Sequence, residues 1–180
     1  MSILRVPVNT SDHVQGPDNA PVTLLEYGDY QCPYCCRAYP VIKQVQRYFG
    51  PRLRLAYRHF PLTEIHEFAE AAAETAEYAG AHGRFWEAHE MLFENQEQMG
   101  VPLLFTIVRS LGLSEQGLRE ALAHGTFSDD VRRDFLSGVR SGVNGTPTFF
   151  INNRRYDGAP TYEAMITTIA AQLEYARMPA

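Results

Sequence analysis

The sequence predicts an α/β fold in which a sheet domain is interrupted by a block of about five helices. Two observations carry that prediction. Residues 22 to 60 read as strand, helix, strand, and residues 63 to 141 are helical in pattern before strand character returns at residue 148. A strand–helix–strand unit of this kind normally joins parallel neighbours.

Each element has its own signal. Val22 to Tyr27 (VTLLEY) is a short apolar run of strand formers, preceded by Pro17 and Pro21 and ended by Gly28. Over residues 33 to 49, Ala38, Val41, Ile42, Val45 and Phe49 form one helical stripe, closed by Gly50-Pro51. Arg52 to Phe60 alternates polar and apolar residues at first, as a half-buried strand does. Helices are then expected over Glu64–Ala81 and Arg84–Asn95, from Pro102 to Gly112, after a Ser114 cap, and from a Ser128 or Asp129 cap to near Gly142. Thr148–Ile151 and Arg154–Tyr156 read as strands about an Asn152-Asn153 turn. A last helix follows a Thr161 cap, with Tyr162, Met165, Ile166, Ile169 and Leu173 on one face.

Composition narrows the function classes. The 180 residues are 45% hydrophobic and 21% charged, which suits an ordinary globular domain with its own core. The net charge of −5 speaks against nucleic acid or an anionic membrane as the main partner. No stretch approaches the roughly 20 apolar residues of a membrane span. Met1 to Gln15 lacks the apolar core of a signal peptide, so the expected location is the cytoplasm; a leader ahead of Met1 would make it periplasmic.

All three cysteines, Cys32, Cys35 and Cys36, fall within five positions. A disulfide framework would spread an even number along the chain, and a four-cysteine zinc site lacks its ligands. Cys32-Pro33-Tyr34-Cys35 follows a strand and opens a helix. Unpaired N–H groups and the positive end of the helix dipole stabilise a thiolate there. Such positions lower a thiol pKa to roughly 3.5–7.5. Cys35 lies one turn on, on the same side, and Pro33 costs no hydrogen bond in the first turn. The expected chemistry is attack by a Cys32 thiolate on a disulfide, with Cys35 resolving the mixed disulfide. The alternative is half of a zinc site or two packed core cysteines.

Two further features bear on that site. Glu26 interrupts an apolar strand six residues before Cys32; buried there, it would hold a raised pKa and exchange a proton with the resolving thiol. On an edge strand it would simply face solvent. Gly145-Thr146-Pro147-Thr148 enters the late strand, where an X-Pro bond admits a cis peptide. That geometry would leave the Thr146 backbone free to pair with an extended substrate; an ordinary trans turn would not.

EYGDYQCPYC, RHFPL and GTPTFFIN, in that order and separated by helices, resemble the DsbA family of thiol–disulfide oxidoreductases, and its bacterial DYQCPYC-type members in particular. The resemblance spans about residues 14 to 175. It implies a thioredoxin fold over 14–62 and 142–177 with an inserted all-helical domain at 63–141. It places Cys32 at the nucleophilic position, Cys35 at the resolving one, Pro147 at the cis-proline position and Glu26 at the buried acid. Pro33, Tyr34 and Thr146 would then border the substrate. The implied partners are polypeptide thiols and disulfides and an unidentified redox-recycling partner. No metal or organic cofactor is expected, because the cysteine pair stores the two electrons.

Two departures from the family carry expectations of their own. Pro33-Tyr34 stands where the family's best-known oxidases have Pro-His, and a tyrosine cannot offer an imidazolium to the thiolate. A less oxidising disulfide is therefore expected. The same pair occurs in glutaredoxins, which keeps a glutathione-dependent reductase or transferase-like enzyme as an alternative. From another class comes a non-catalytic module holding a metal on Cys32 and Cys35. Cys36 reads as an inert thiol rather than a third redox group, since a bridge between adjacent residues is strained. His59, His66, His82, His89 and His124 show no metal-binding spacing and read as packed or solvated. Phe85, Trp86, His89, Leu92 and Phe93 read as core between helices, with a groove beside Cys32 as the sharper idea. A cytoplasmic setting would favour reduction or isomerisation over net oxidation.

Overall fold

A computed structural model describes residues 2–175; Met1 and the expected boundary at 177 lie outside the described residues. The chain runs β1 (His13–Gln15), β2 (Val22–Gly28), α1 (Pro33–Phe49), β3 (Leu53–His59), α2 (Ala69–Ala81), α3 (Phe85–Glu94), α4 (Val101–Ser110), α5 (Glu115–His124), α6 (Ser128–Arg140), β4 (Thr148–Ile151), β5 (Arg154–Tyr156) and α7 (Tyr162–Tyr175). The strands form one mixed sheet in the order β1-β3-β2-β4-β5. As the strand–helix–strand pattern predicts, β2 and β3 are parallel, with Val22 beside Leu53 and Glu26 beside Tyr57. β4 lies antiparallel on the other side of β2, which puts Glu26 opposite Phe149 on the central strand. β5 returns through Asn152 and Asn153, both at positive φ, where asparagine is among the least strained residues.

Three apolar clusters follow from strand alternation. On one face Val22, Leu24, Leu53, Leu55, Phe149 and Ile151 meet the α1 stripe and Met165, Ile169 and Leu173 of α7. On the other, Leu25, Tyr27, Ala56 and Phe150 pack with Phe60, Val143 and Phe135 of α6. The third cluster joins the helices between β3 and β4 to Tyr30, Cys32, Cys35 and Tyr57. The cysteine pair therefore sits on the seam between the helical block and the sheet. The stripe of Phe85, His89, Leu92 and Phe93 is buried in that seam, as its spacing predicts, with Trp86 partly exposed beside it.

Some expected elements differ. β1 carries no sequence signal, since three residues are too few to show a period. α2 begins at Ala69 rather than Glu64, because the chain before it is bound elsewhere. Leu62 N and His66 Nδ1 reach the Asp29 carboxylate at 2.9 and 2.7 Å, and Phe68 N donates to Gln31 Oε1 at 2.7 Å. Ser114 does cap α5, accepting from Gly117 N at 3.0 Å. Neither Ser128 nor Asp129 caps α6: Phe127 holds the cap position, and the Ser128 hydroxyl donates to the Gly125 carbonyl instead.

One buried ion pair fastens the amino-terminal segment to the sheet. Arg58 on β3 donates from Nε and Nη2 to Asp12 at 2.6 and 2.9 Å, and both side chains are only 2% exposed. Its other donors reach the Val6 and Pro7 carbonyls and the Tyr27 hydroxyl. Removing one partner of such a pair strands the other charge without solvent. Arg58→Ala should therefore lower the unfolding free energy by about 3–5 kcal/mol in urea titrations. A loss below ~1 kcal/mol would show that Asp12 finds water instead.

Candidate active site

Cys32 occupies the N-cap of α1, with extended backbone and Pro33 as the first helical residue. Its backbone N–H donates to Asp29 O at 3.1 Å, and its carbonyl accepts from Cys36 N at 3.1 Å. The loop that presents it is tied from both sides. Asp29, buried, accepts from Gln31 N at 2.7 Å as well as from Leu62 N and His66. From the helical block, Gln96 Nε2 donates to the Tyr30 carbonyl at 2.7 Å and the Cys32 carbonyl at 3.0 Å. No spacing or motif flags Gln96 in the sequence; only the fold brings residue 96 to residue 32.

The sulfurs have opposite characters. Cys32 is held at a pKa of about 5, chiefly by a hydrogen bond from the Cys35 thiol. Burial works against that, while Thr146 and the backbone N–H groups of Cys35 and Tyr34 add to it. As a thiol, Cys32 Sγ donates to the Thr146 carbonyl at 3.4 Å. The Thr146 hydroxyl is buried with no hydrogen-bond partner. Burial pushes the Cys35 thiol up, and its bond to Cys32 and the nearby Glu26 push it further. All three cysteines are free thiols. Cys36 is half-buried, donates weakly to the Phe93 carbonyl at 3.6 Å, and is also shifted upward by burial.

Glu26 lies in the middle of the sheet, 3% exposed, so the edge-strand alternative does not hold. Its Oε1 has no hydrogen-bond partner. Burial, and then the Cys32 charge, raise its pKa to about 8. A narrow crevice lined by Glu26, Gln15, Lys43, His89 and Glu90 runs beside it. Behind the cysteines, Tyr30 and Tyr57 stack at 5.4 Å, and Tyr30 shares a 3.1 Å hydrogen bond with His89 Nδ1. Gly28 is required here, because a Cβ on it would lie 2.6 Å from the Tyr57 ring.

The Thr146–Pro147 peptide is cis, so the trans-turn alternative does not hold. Thr146, Pro147, Tyr34, Arg37, Ala38 and Pro160 line a surface groove of about 430 Å³ beside the pair. Tyr34 is 63% exposed, with the Arg37 guanidinium 4.5 Å above its ring. The structure thus brings together Cys32, Cys35, Glu26, Pro33, Tyr34, Thr146 and Pro147. His59 is buried, as its packed reading expects, and together with His13 from another strand it meets Glu77. Sequence spacing could not show it, because the three residues come from β1, β3 and α2.

A thioredoxin family model matches residues 8–171. The chain belongs to the thioredoxin family. Its fold is shared with solved structures of BdbD and of a DsbA protein. BdbD from Bacillus subtilis, in its oxidised form, superposes with a TM-score of 0.86 at 27% identity, over 96% of this chain and 98% of that one. The α-DsbA1 protein of Wolbachia pipientis shares the fold at a TM-score of 0.83 and 18% identity, over 96% of each chain. A Salinispora arenicola protein named Na(+)/H(+) antiporter NhaA 1 is 39% identical over 176 residues, 97% of this chain. The chain spans only about a quarter (27%) of that relative's length.

These neighbours overturn the cytoplasmic expectation. Among the solved structures that share the fold is a periplasmic thioredoxin-like protein of Salmonella enterica serovar Typhimurium, with a TM-score of 0.75 and 19% identity. The expectation rested on the composition of the first residues, which does not report where a domain of this family works. The preference for reduction that it carried falls with it. Among the described residues, no helix is long and apolar enough to cross a membrane.

The pKa shifts set a pH signature. Cys32 in the folded, reduced protein titrates at about 5, below the ordinary thiol value of 9.0. A depressed folded pKa adds stability at high pH that is lost as pH falls through the folded value. The stability of the reduced form relative to the oxidised form should therefore rise from about pH 5 to about pH 9. Thiolate ultraviolet absorbance should appear with a midpoint near 5 and vanish in Cys32→Ser. A midpoint above 8 would mean that neither the Cys35 thiol nor the helix start holds Cys32 ionised.

Proposed function

We propose that the chain exchanges disulfides with polypeptide thiols through Cys32 as nucleophile and Cys35 as resolving thiol. The observation that carries this reading is the asymmetry of the pair, one sulfur ionised near pH 5 and the other kept protonated by burial. The Cys32 thiolate attacks one sulfur of a substrate disulfide. A mixed disulfide forms as the S–S bond breaks, and the substrate's other sulfur leaves as a thiolate and takes a proton from solvent. Cys35 then loses its proton, attacks Cys32 Sγ and expels the substrate's remaining sulfur. The substrate gains two electrons and the Cys32–Cys35 pair loses them; the reverse sequence oxidises a dithiol.

Glu26 is the proton acceptor for Cys35 in this scheme. Once the Cys32 charge is consumed in the mixed disulfide, the second cause raising the Glu26 pKa disappears. The carboxyl becomes more acidic and can hand on its proton, with the crevice past Lys43 and Glu90 as the way out. The substrate chain lies extended in the groove between Tyr34 and Thr146–Pro147, Pro33 stiffening the helix start and Pro147 shaping the wall. Because Cys32 is only 2% exposed, the incoming disulfide reaches its sulfur from this groove. The direction in the cell depends on the pair's potential and on the partner that recycles it.

Insulin reduction assayed with dithiothreitol, with and without glutathione, tests the substrate class. Wild type should act without glutathione, Cys32→Ser should be inactive, and Cys35→Ser should accumulate a substrate-linked mixed disulfide. Strict dependence on glutathione would favour a small-thiol enzyme. Glu26→Gln should slow turnover by about 10²-fold, the low end for a lost proton-transfer group. An unchanged rate would remove Glu26 from the scheme. Tyr34→His should make the disulfide more oxidising, and an unchanged or lower potential in glutathione equilibration would contradict the role given to Tyr34.

A further inference from the structure

We propose that His13, His59 and Glu77 form a binding site for a divalent transition-metal ion of the zinc class, clamping α2 of the helical block to the sheet. The site is separate from the cysteine pair and plays no part in the exchange scheme.

Three elements distant in sequence contribute one ligand atom each. His13 Nε2 comes from β1, His59 Nε2 from the end of β3 and a Glu77 oxygen from α2, and all lie within 4.8 Å of one another. His13 Nε2 is 2.9 and 3.0 Å from the two Glu77 oxygens, and His59 Nε2 is 2.9 Å from Oε1. His59 and Glu77 are buried, and His13 stands at the rim. Two imidazoles and a carboxylate are a common zinc donor set, with bonds of about 2.0–2.2 Å to nitrogen and oxygen. Ligands around such an ion stand roughly 3.3 Å apart, as tetrahedral geometry at those bond lengths requires. The two histidine contacts to Glu77 need to open by only a few tenths of an ångström. His13 is partly exposed, which leaves a way in from solvent.

Charge and packing favour the same reading. With neutral imidazoles the cluster carries the Glu77 charge alone, and a dication takes the place of the two ring N–H donors on that carboxylate, each ring keeping its proton on Nδ1. His13 is already oriented, stacked on Phe85 with ring centroids 3.5 Å apart and planes 5° from parallel. His59 is hemmed in by Tyr30, Tyr57 and Phe85. Its Nε2 proton is held by the Glu77 carboxylate, and its Nδ1 is buried with no hydrogen-bond partner, so a metal that takes Nε2 leaves the ring as the other tautomer with its proton on Nδ1. The absent outer partner has a cost. Affinity should be on the order of 10–100-fold weaker than where each imidazole is backed by a carboxylate or carbonyl.

The test uses the full chain with Cys32, Cys35 and Cys36 all changed to serine, so that no thiolate competes for metal. Titrated with Co²⁺, it should bind one ion per chain with visible d–d absorption, and Zn²⁺ should displace it. Zn²⁺ should also raise the melting temperature. In the same background His13→Phe keeps a ring against Phe85 but removes a rim ligand, and Glu77→Gln removes the anionic one. Each should weaken binding by at least tenfold, His13→Phe without changing the circular dichroism spectrum of the folded state. Absence of stoichiometric Co²⁺ binding, or undiminished binding in His13→Phe, would overturn the site. Disulfide exchange by the wild-type chain would survive either result.

Discussion

Two negative charges compete for one small buried space. A Cys32 charge disfavours the Glu26 carboxylate, and a Glu26 charge disfavours ionisation of Cys35. Donors at the start of α1 settle the contest for the sulfur, while burial leaves the carboxyl protonated up to about pH 8. Cys35 stays a thiol for the same reason, burial, with its bond to Cys32 and the nearby Glu26 adding to it. In the proposed scheme this is also what makes the steps sequential: spending the first charge on a substrate releases the proton acceptor for the second sulfur.

Holding that arrangement requires the loop of residues 29 to 32 to be rigid, and the fold supplies it from two directions. Asp29 gathers three donors, one from the loop itself and two from the chain after β3. Gln96 reaches from beyond α3 to two loop carbonyls. The helices between β3 and β4 thus share a core with the cysteines and hold the backbone that carries them. The His13–His59–Glu77 cluster lies on the same seam, where α2 meets the sheet.

Much of this was legible in the sequence, because the relevant signals are local. A cysteine pair at a strand-to-helix transition, a carboxylate interrupting an apolar strand and an X-Pro bond before a late strand each have a short-range reason. Cys32, Cys35, Glu26 and Pro147 converge for those reasons. Helix interiors were equally plain, since the α1 and α7 stripes repeat over three turns or more. What stayed hidden depends on partners far away in the chain. The late start of α2 is set by Asp29 and Gln31, thirty or more residues upstream. Gln96 and the meeting of His13 with His59 leave no spacing to read. Cellular location was misread because a chain's opening residues describe only themselves.

The most direct measurement of the central claim is the reduction potential of the Cys32–Cys35 pair by equilibration with glutathione. A thiolate of pKa about 5 stabilises the reduced form more than in thioredoxin, whose thiol is near 7, and less than in the strongest oxidases, near 3.5. The potential should accordingly fall between about −270 and −120 mV. A value below about −300 mV, that of a structural disulfide, would mean that the helix start does not hold Cys32 ionised.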